Sequence, residues 1–90
     1  MLQRNKVVLW RELAGEAVLL DPEVGCSYNL NRTGTLVWKM LDGQHRVQEI
    51  ATELSKSYEV EYEQALRDVE TVLDDLRQNN LLSHIPSSIR

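Results

Sequence analysis

Residues 26–43, CSYNLNRTGTLVWKMLDG, change their hydrophobic period from two to 3.6 with no loop between. Cys26, Tyr28 and Leu30 alternate with Ser27, Asn29 and Asn31, the pattern of a strand with one covered face. From Gly34, the positions of Val37, Trp38 and Leu41 fall at i+3, i+4 and i+7, one face of a helix. Asn31 is placed to cap that helix, and Asp42-Gly43 to end it. A strand that runs straight into a capped helix keeps no loop with which to cover its outer edge.

Upstream, KVVLWREL is rich in β-branched and apolar residues and is broken by Ala14-Gly15. EAVLLD follows, then Pro22-Glu23-Val24-Gly25, with Pro and Gly where turns need them. Connections this short predict an antiparallel meander over residues 6–31, with the third strand on an edge.

Downstream, Val47, Ile50, Ala51, Leu54 and Tyr58 keep one stripe over three turns. Glu49 stands where a capping box wants it, but Arg46 offers no short side-chain acceptor to the helix N-terminus. A third helix is expected from about Glu61 to Asn79, with Tyr62, Ala65, Leu66, Val69, Val72, Leu73 and Leu76 on one arc. LLSHI then returns apolar residues to the core or to a short final strand.

The expected fold is therefore a small winged-helix-like α+β domain, a three-stranded antiparallel sheet followed by three helices. Residues 1–90 form one domain, with a core over about 7–82 and a loose tail over 83–90.

The chemistry inventory is thin. His45 falls in a loop, His84 near the end and Cys26 in a strand, without metal-ligand spacing. No Gly-rich phosphate loop occurs. These features predict a non-enzyme with no cofactor and no metal. A lone cysteine, no signal-like apolar run after the first basic residues and no window of membrane-spanning length predict a cytoplasmic protein with no membrane partner. Asn31-Arg32-Thr33 matches a glycosylation sequon, and in that setting the match is read as chance.

A helix-turn-helix invites a DNA-binding reading, with the third helix as the reader. Its charge opposes this: residues 59–79 carry seven acids against Arg67 and Arg77. That element would face phosphates with like charge, so no nucleic-acid partner is expected. The open third strand offers another role, because an extended peptide can add to a sheet edge and use pockets on a neighbouring helix. Equally, the edge could be inert, kept harmless by Ser27 and Asn29.

The stretch YNLNRTGTLVWKMLDG, followed by VQEIATEL and then YEVEYEQALRDVETVLDDLRQNNLL, resembles the PqqD-like family of peptide-recognition domains, also called RiPP recognition elements. Leu30-Asn31, Trp38, Leu41-Asp42-Gly43, Glu49-Ile50-Ala51, Leu54, Tyr58, Asp68-Val69, Leu73, Leu76 and Leu81-Leu82 carry the resemblance, over about residues 7–82. No single piece is specific; their order and spacing are.

The resemblance implies a module that captures the leader segment of a ribosomally made precursor peptide by strand addition to its third strand, against its third helix. A separate modifying enzyme or leader peptidase, of radical or protease class, then acts on the core. Carried onto this chain, the peptide-binding residues are Ser27, Tyr28, Asn29 and Leu30 on the strand, and Asp68, Val69, Val72, Asp75 and Leu76 on the helix. The flank bearing Asp68, Val72 and Asp75 is favoured over that of Glu63, Glu70 and Arg77. The chain departs from the family at Arg46, often Thr, and at Asn80, often Gly; Asn tolerates the left-handed turn. The open edge also predicts a possible homodimer or strand-swapped dimer. The alternatives are a winged-helix DNA-binding regulator and a structural adaptor of a modifying enzyme.

Overall fold

The computed structural model describes residues 2–83. It contains β1 (Leu9–Leu13), β2 (Glu16–Asp21), β3 (Cys26–Asn29), α1 (Arg32–Lys39), α2 (Val47–Tyr58) and α3 (Tyr62–Gln78). The strands form one antiparallel sheet in the order β1-β2-β3, as the turn chemistry predicts. Ala14 (φ 53°) and Gly15 (φ 84°) link β1 to β2 in left-handed conformations, the requirement of a two-residue hairpin. Of the expected tail, Ser83 is tied down, its N–H donating to Gln3 O at 2.8 Å; the rest of the tail, His84 included, lies outside the described residues.

The first strand is shorter than KVVLWREL suggests. Val8 N–H donates to Asn5 O at 3.1 Å, so residues 5–8 turn before β1 begins at Leu9. All five residues of β1 are exposed, whereas Val8 is buried. The reason is layering: α1 packs on β2, and β1 flanks it as the far edge of the sheet. Ala17, Leu19 and Asp21 are buried on the inner face. Leu9, Leu13, Val18 and Leu20 stay exposed, and their pairing sets them on the outer face.

The core is built by Leu19 and Ala17 of the sheet, Val37 and Trp38 of α1, Ile50, Ala51 and Leu54 of α2, and Ala65, Val69, Leu73 and Leu76 of α3. Leu81 and Leu82 return to it, and Asn80 at φ 59° makes the left-handed turn that allows this. Tyr58 and Tyr62 are 40% exposed, off the stripes on which periodicity placed them. They stand on either side of the α2–α3 turn. Among the described residues no helix is long and apolar enough to cross a membrane.

Two details hold the scaffold. First, α1 stops at Lys39 rather than at Asp42, because Leu41 and Asp42 face the N-terminal segment. Gln3 bridges Asp42 and Arg4 bridges Leu82, both antiparallel, so residues 2–5 lie as a strap between the end of α1 and the segment after α3. Arg4 N–H donates to Leu41 O at 2.9 Å and Asn5 N–H to Leu81 O at 2.9 Å. Gly43, at φ 81°, lies under this strap; a Cβ there would come within 3.2 Å of the Gln3 side chain. Secondly, the Arg4 guanidinium sits 5.5 Å from the Trp10 ring centre and 5.9 Å from that of Trp38, while donating to Trp38 O and Lys39 O at 3.0 Å.

Candidate peptide-binding site

The junction between strand and helix is built by two side chains. Asn31 Oδ1 accepts from Gly34 N–H at 2.8 Å and from the Thr33 hydroxyl at 3.0 Å, which caps α1 as its residue type predicts. Thr35 is buried one turn later, and its Oγ1 accepts from Ala17 N–H at 2.8 Å and donates to Leu30 O at 3.4 Å. In a continuing antiparallel ladder Ala17 N–H would bond Leu30 O directly. The Thr35 hydroxyl interposes itself there, so the ladder ends and the helix begins in one place.

The same ladder decides which backbone groups of β3 are free. Leu30 N–H donates to Ala17 O at 2.8 Å, and β3 pairs Tyr28 with Leu19 and Cys26 with Asp21. Backbone groups in an antiparallel pair alternate sides along a strand. Cys26, Tyr28 and Leu30 therefore turn their N–H and C=O groups toward β2. Ser27 and Asn29 turn theirs outward, and among the described residues no strand covers that edge.

Two adjoining cavities open between this edge and α3. The first, of about 410 Å³, is lined by Asn29 to Asn31, Thr33 and Gly34 on one side and Asp68, Thr71, Val72, Asp75 and Leu76 on the other. The second, of about 370 Å³, is lined by Ser27 to Leu30, Asp75, Leu76, Asn79 and Leu81. Both use the flank of α3 that carries Asp68, Val72 and Asp75; Glu63, Glu70 and Arg77 line neither.

Eight of the nine expected residues thus meet around one groove. Val69 does not: it is fully buried and belongs to the core, since it lies at the centre of the apolar arc rather than at its margin. Leu76 is buried yet reaches both cavities. Sequence reasoning passed over Asn31, Thr33, Gly34, Thr71 and Leu81 as groove residues. Thr71 could have been found, since it stands one turn after Asp68 and one turn before Asp75 on the same flank of α3. Asn31 signals a cap, Gly34 opens a helical stripe and Thr33 completes a sequon, and none of these announces a groove.

Among the described residues no base lines either cavity. Asp68 Oδ1 accepts from Gln64 Nε2 at 3.0 Å, and neither Asp68 nor Asp75 is paired with a cation among the described residues. The Tyr28 phenol is held above its ordinary pKa, first by desolvation and then by Cys26 and Asp21 nearby, so it stays a neutral hydroxyl over the physiological range. Among the described residues no group of three or more His, Cys, Asp or Glu side chains could hold a metal ion. The groove therefore offers a hydrogen-bonding edge, an apolar floor and two carboxylates, which is the equipment of a binding surface.

The sequence matches the family described as coenzyme PQQ synthesis protein D (PqqD) over residues 16–82. No curated protein matches it. Two solved structures share its fold. One is TbiB1 in complex with the TbiA(beta) leader peptide, with a TM-score of 0.83 and 25% identity, covering 92% of this chain and 96% of that one. The other is lasso peptide synthetase B1 complexed with the leader peptide, with a TM-score of 0.82 and 26% identity, covering 92% of this chain and 98% of that one.

Proposed function

The chain belongs to the coenzyme PQQ synthesis protein D (PqqD) family, and from that premise we propose that it captures the leader segment of a ribosomally synthesised precursor peptide. The leader adds as a fourth strand to β3, against α3, and the chain itself performs no chemistry. A separate modifying enzyme or leader peptidase acts on the core, in the cytoplasm. The observation that carries this reading is the outward-turned backbone of Ser27 and Asn29 beside two cavities of α3. The two similar structures, both described with a leader peptide bound, support it.

Main-chain pairing supplies affinity without regard to sequence, and the cavities supply selectivity. The Asn31 cap and the Thr35 wedge hold the edge in place before the peptide arrives, which reduces the ordering cost of binding.

The test is an NMR titration of the labelled protein with the leader of a precursor encoded beside it. Expected are shifts concentrated in residues 27–30 and along Asp68 to Asn79. Asn29→Pro removes one outward N–H without touching a bond to β2, so it should weaken binding at least tenfold while circular dichroism keeps the helix signal. A folded Asn29→Pro protein that binds as tightly as the parent would sink strand addition.

A further inference from the structure

The groove dictates more than a leader of any sequence, and the following rests on the leader-capture reading. A strand added antiparallel to β3 continues the pattern of the sheet. Its residues opposite Ser27 and Asn29 make the hydrogen bonds. Its residues opposite Tyr28 and Leu30 stand on the inner face, because directly opposed residues share a face. Tyr28 and Leu30 are partly buried against the core on that face. Two neighbouring inward side chains, about 7 Å apart, therefore enter the two cavities.

The cavity opposite Leu30 contains Asp68 and Asp75 across the apolar surface of Val72 and Leu76. Carboxylates alone would be a solvated helix face. Here they border a cavity at the end of an open strand edge, and neither has a cationic partner among the described residues. A side chain with a long apolar stem and a terminal cation satisfies both surfaces at once. The cavity opposite Tyr28 shares Asp75 with the first and adds Asn79, but it lacks Asp68 and has Leu30, Leu76 and Leu81 in its wall, so it takes an apolar side chain.

We propose that the leader is selected by a two-position code: a Lys or Arg opposite Leu30, followed two residues later by an apolar residue opposite Tyr28. Antiparallel pairing fixes the order, since the residue opposite Leu30 comes first in the peptide. The residue between them faces outward and is free to vary.

The experiment selects random dodecapeptides displayed on phage against the full chain. Lys or Arg is expected to be enriched at one position and Leu, Ile, Val, Phe or Met two residues later. Replacing the basic residue of a selected peptide by Gln should weaken binding about tenfold. Against Asp68→Asn/Asp75→Asn, which keeps side-chain size, that replacement should cost less than about twofold. Selected peptides without a basic residue, or with the same loss on the double variant, overturn the code. Binding of the same peptides to Asn29→Pro separates the two levels. If that variant fails to bind them, strand addition stands even where the code falls. If it binds them undiminished, or if the parent chain selects no peptide, strand addition falls and the code with it.

Discussion

His45 and Asp42 share a contact of 2.9 Å between Nδ1 and Oδ1 at the start of the turn into α2. The bond to Asp42 raises the imidazole above its usual pKa of 6.5, and the Gln44 N–H, then His45, lowers the carboxyl below its usual 3.8. Both groups are exposed enough that only the direction matters. The imidazole stabilises the fold fully below pH 6.5 and loses that contribution as pH rises through its higher folded value. The carboxylate stabilises above 3.8 and loses its contribution as pH falls through its lower folded value. An NMR titration of His45 should give a midpoint above 6.5, and Asp42→Asn should bring it down; an unmoved midpoint would break the link. Arg46, one residue on, shows a different residue-scale effect. Its N–H donates to Glu49 Oε1 at 2.7 Å, but its side chain accepts nothing from α2. Arg46→Thr supplies the missing acceptor and should raise stability by about 1 kcal/mol in a denaturant melt. This half-built capping box was legible from residue types alone, because a cap is a local matter.

At the scale of elements, most boundaries were legible because period and punctuation agree. Asn31 caps α1, Asn79 is the C-cap of α3 and Asn80 turns left-handed, each as its residue type implies. The misplaced ones were set by tertiary contacts. β1 is apolar in composition yet exposed throughout, since α1 covers its neighbour β2 instead. Likewise α1 loses Leu41 and Asp42 to the strap. The flank of α3 that faces the groove could be favoured from the sequence, but the hydrogen-bonding phase of β3 could not: it depends on register with β2. Thr35 belongs to this scale too, for it ends one element and steadies the next. Thr35→Val keeps the shape and removes the hydroxyl, leaving Ala17 N–H buried without an acceptor. A loss of about 1–3 kcal/mol is expected in equilibrium unfolding. The groove should loosen with it, seen as faster hydrogen exchange at Leu30.

The whole molecule is closed by its strap. Residues 2–5 join the end of α1 to the segment that follows α3, so two parts distant in sequence are clamped by a third. Nothing in Gln3-Arg4-Asn5 announces this, because an isolated bridge has no period and no turn residue. Arg4 bonds the end of α1 and covers both indoles. Arg4→Ala should cost about 1–2 kcal/mol, or roughly 5–15 °C in melting temperature for a domain of this size. A melt unchanged within a degree would mean that the strap is held by its backbone bonds alone. The arrangement also fixes what light can report. Trp10 and Trp38 are edge to face with ring centres 6.1 Å apart, so they form one chromophoric unit under one guanidinium. Neither lines the groove, where Tyr28 is the aromatic side chain. Indole emission is therefore a thermometer for the clamped corner: it follows unfolding and stays level while a peptide fills the far side.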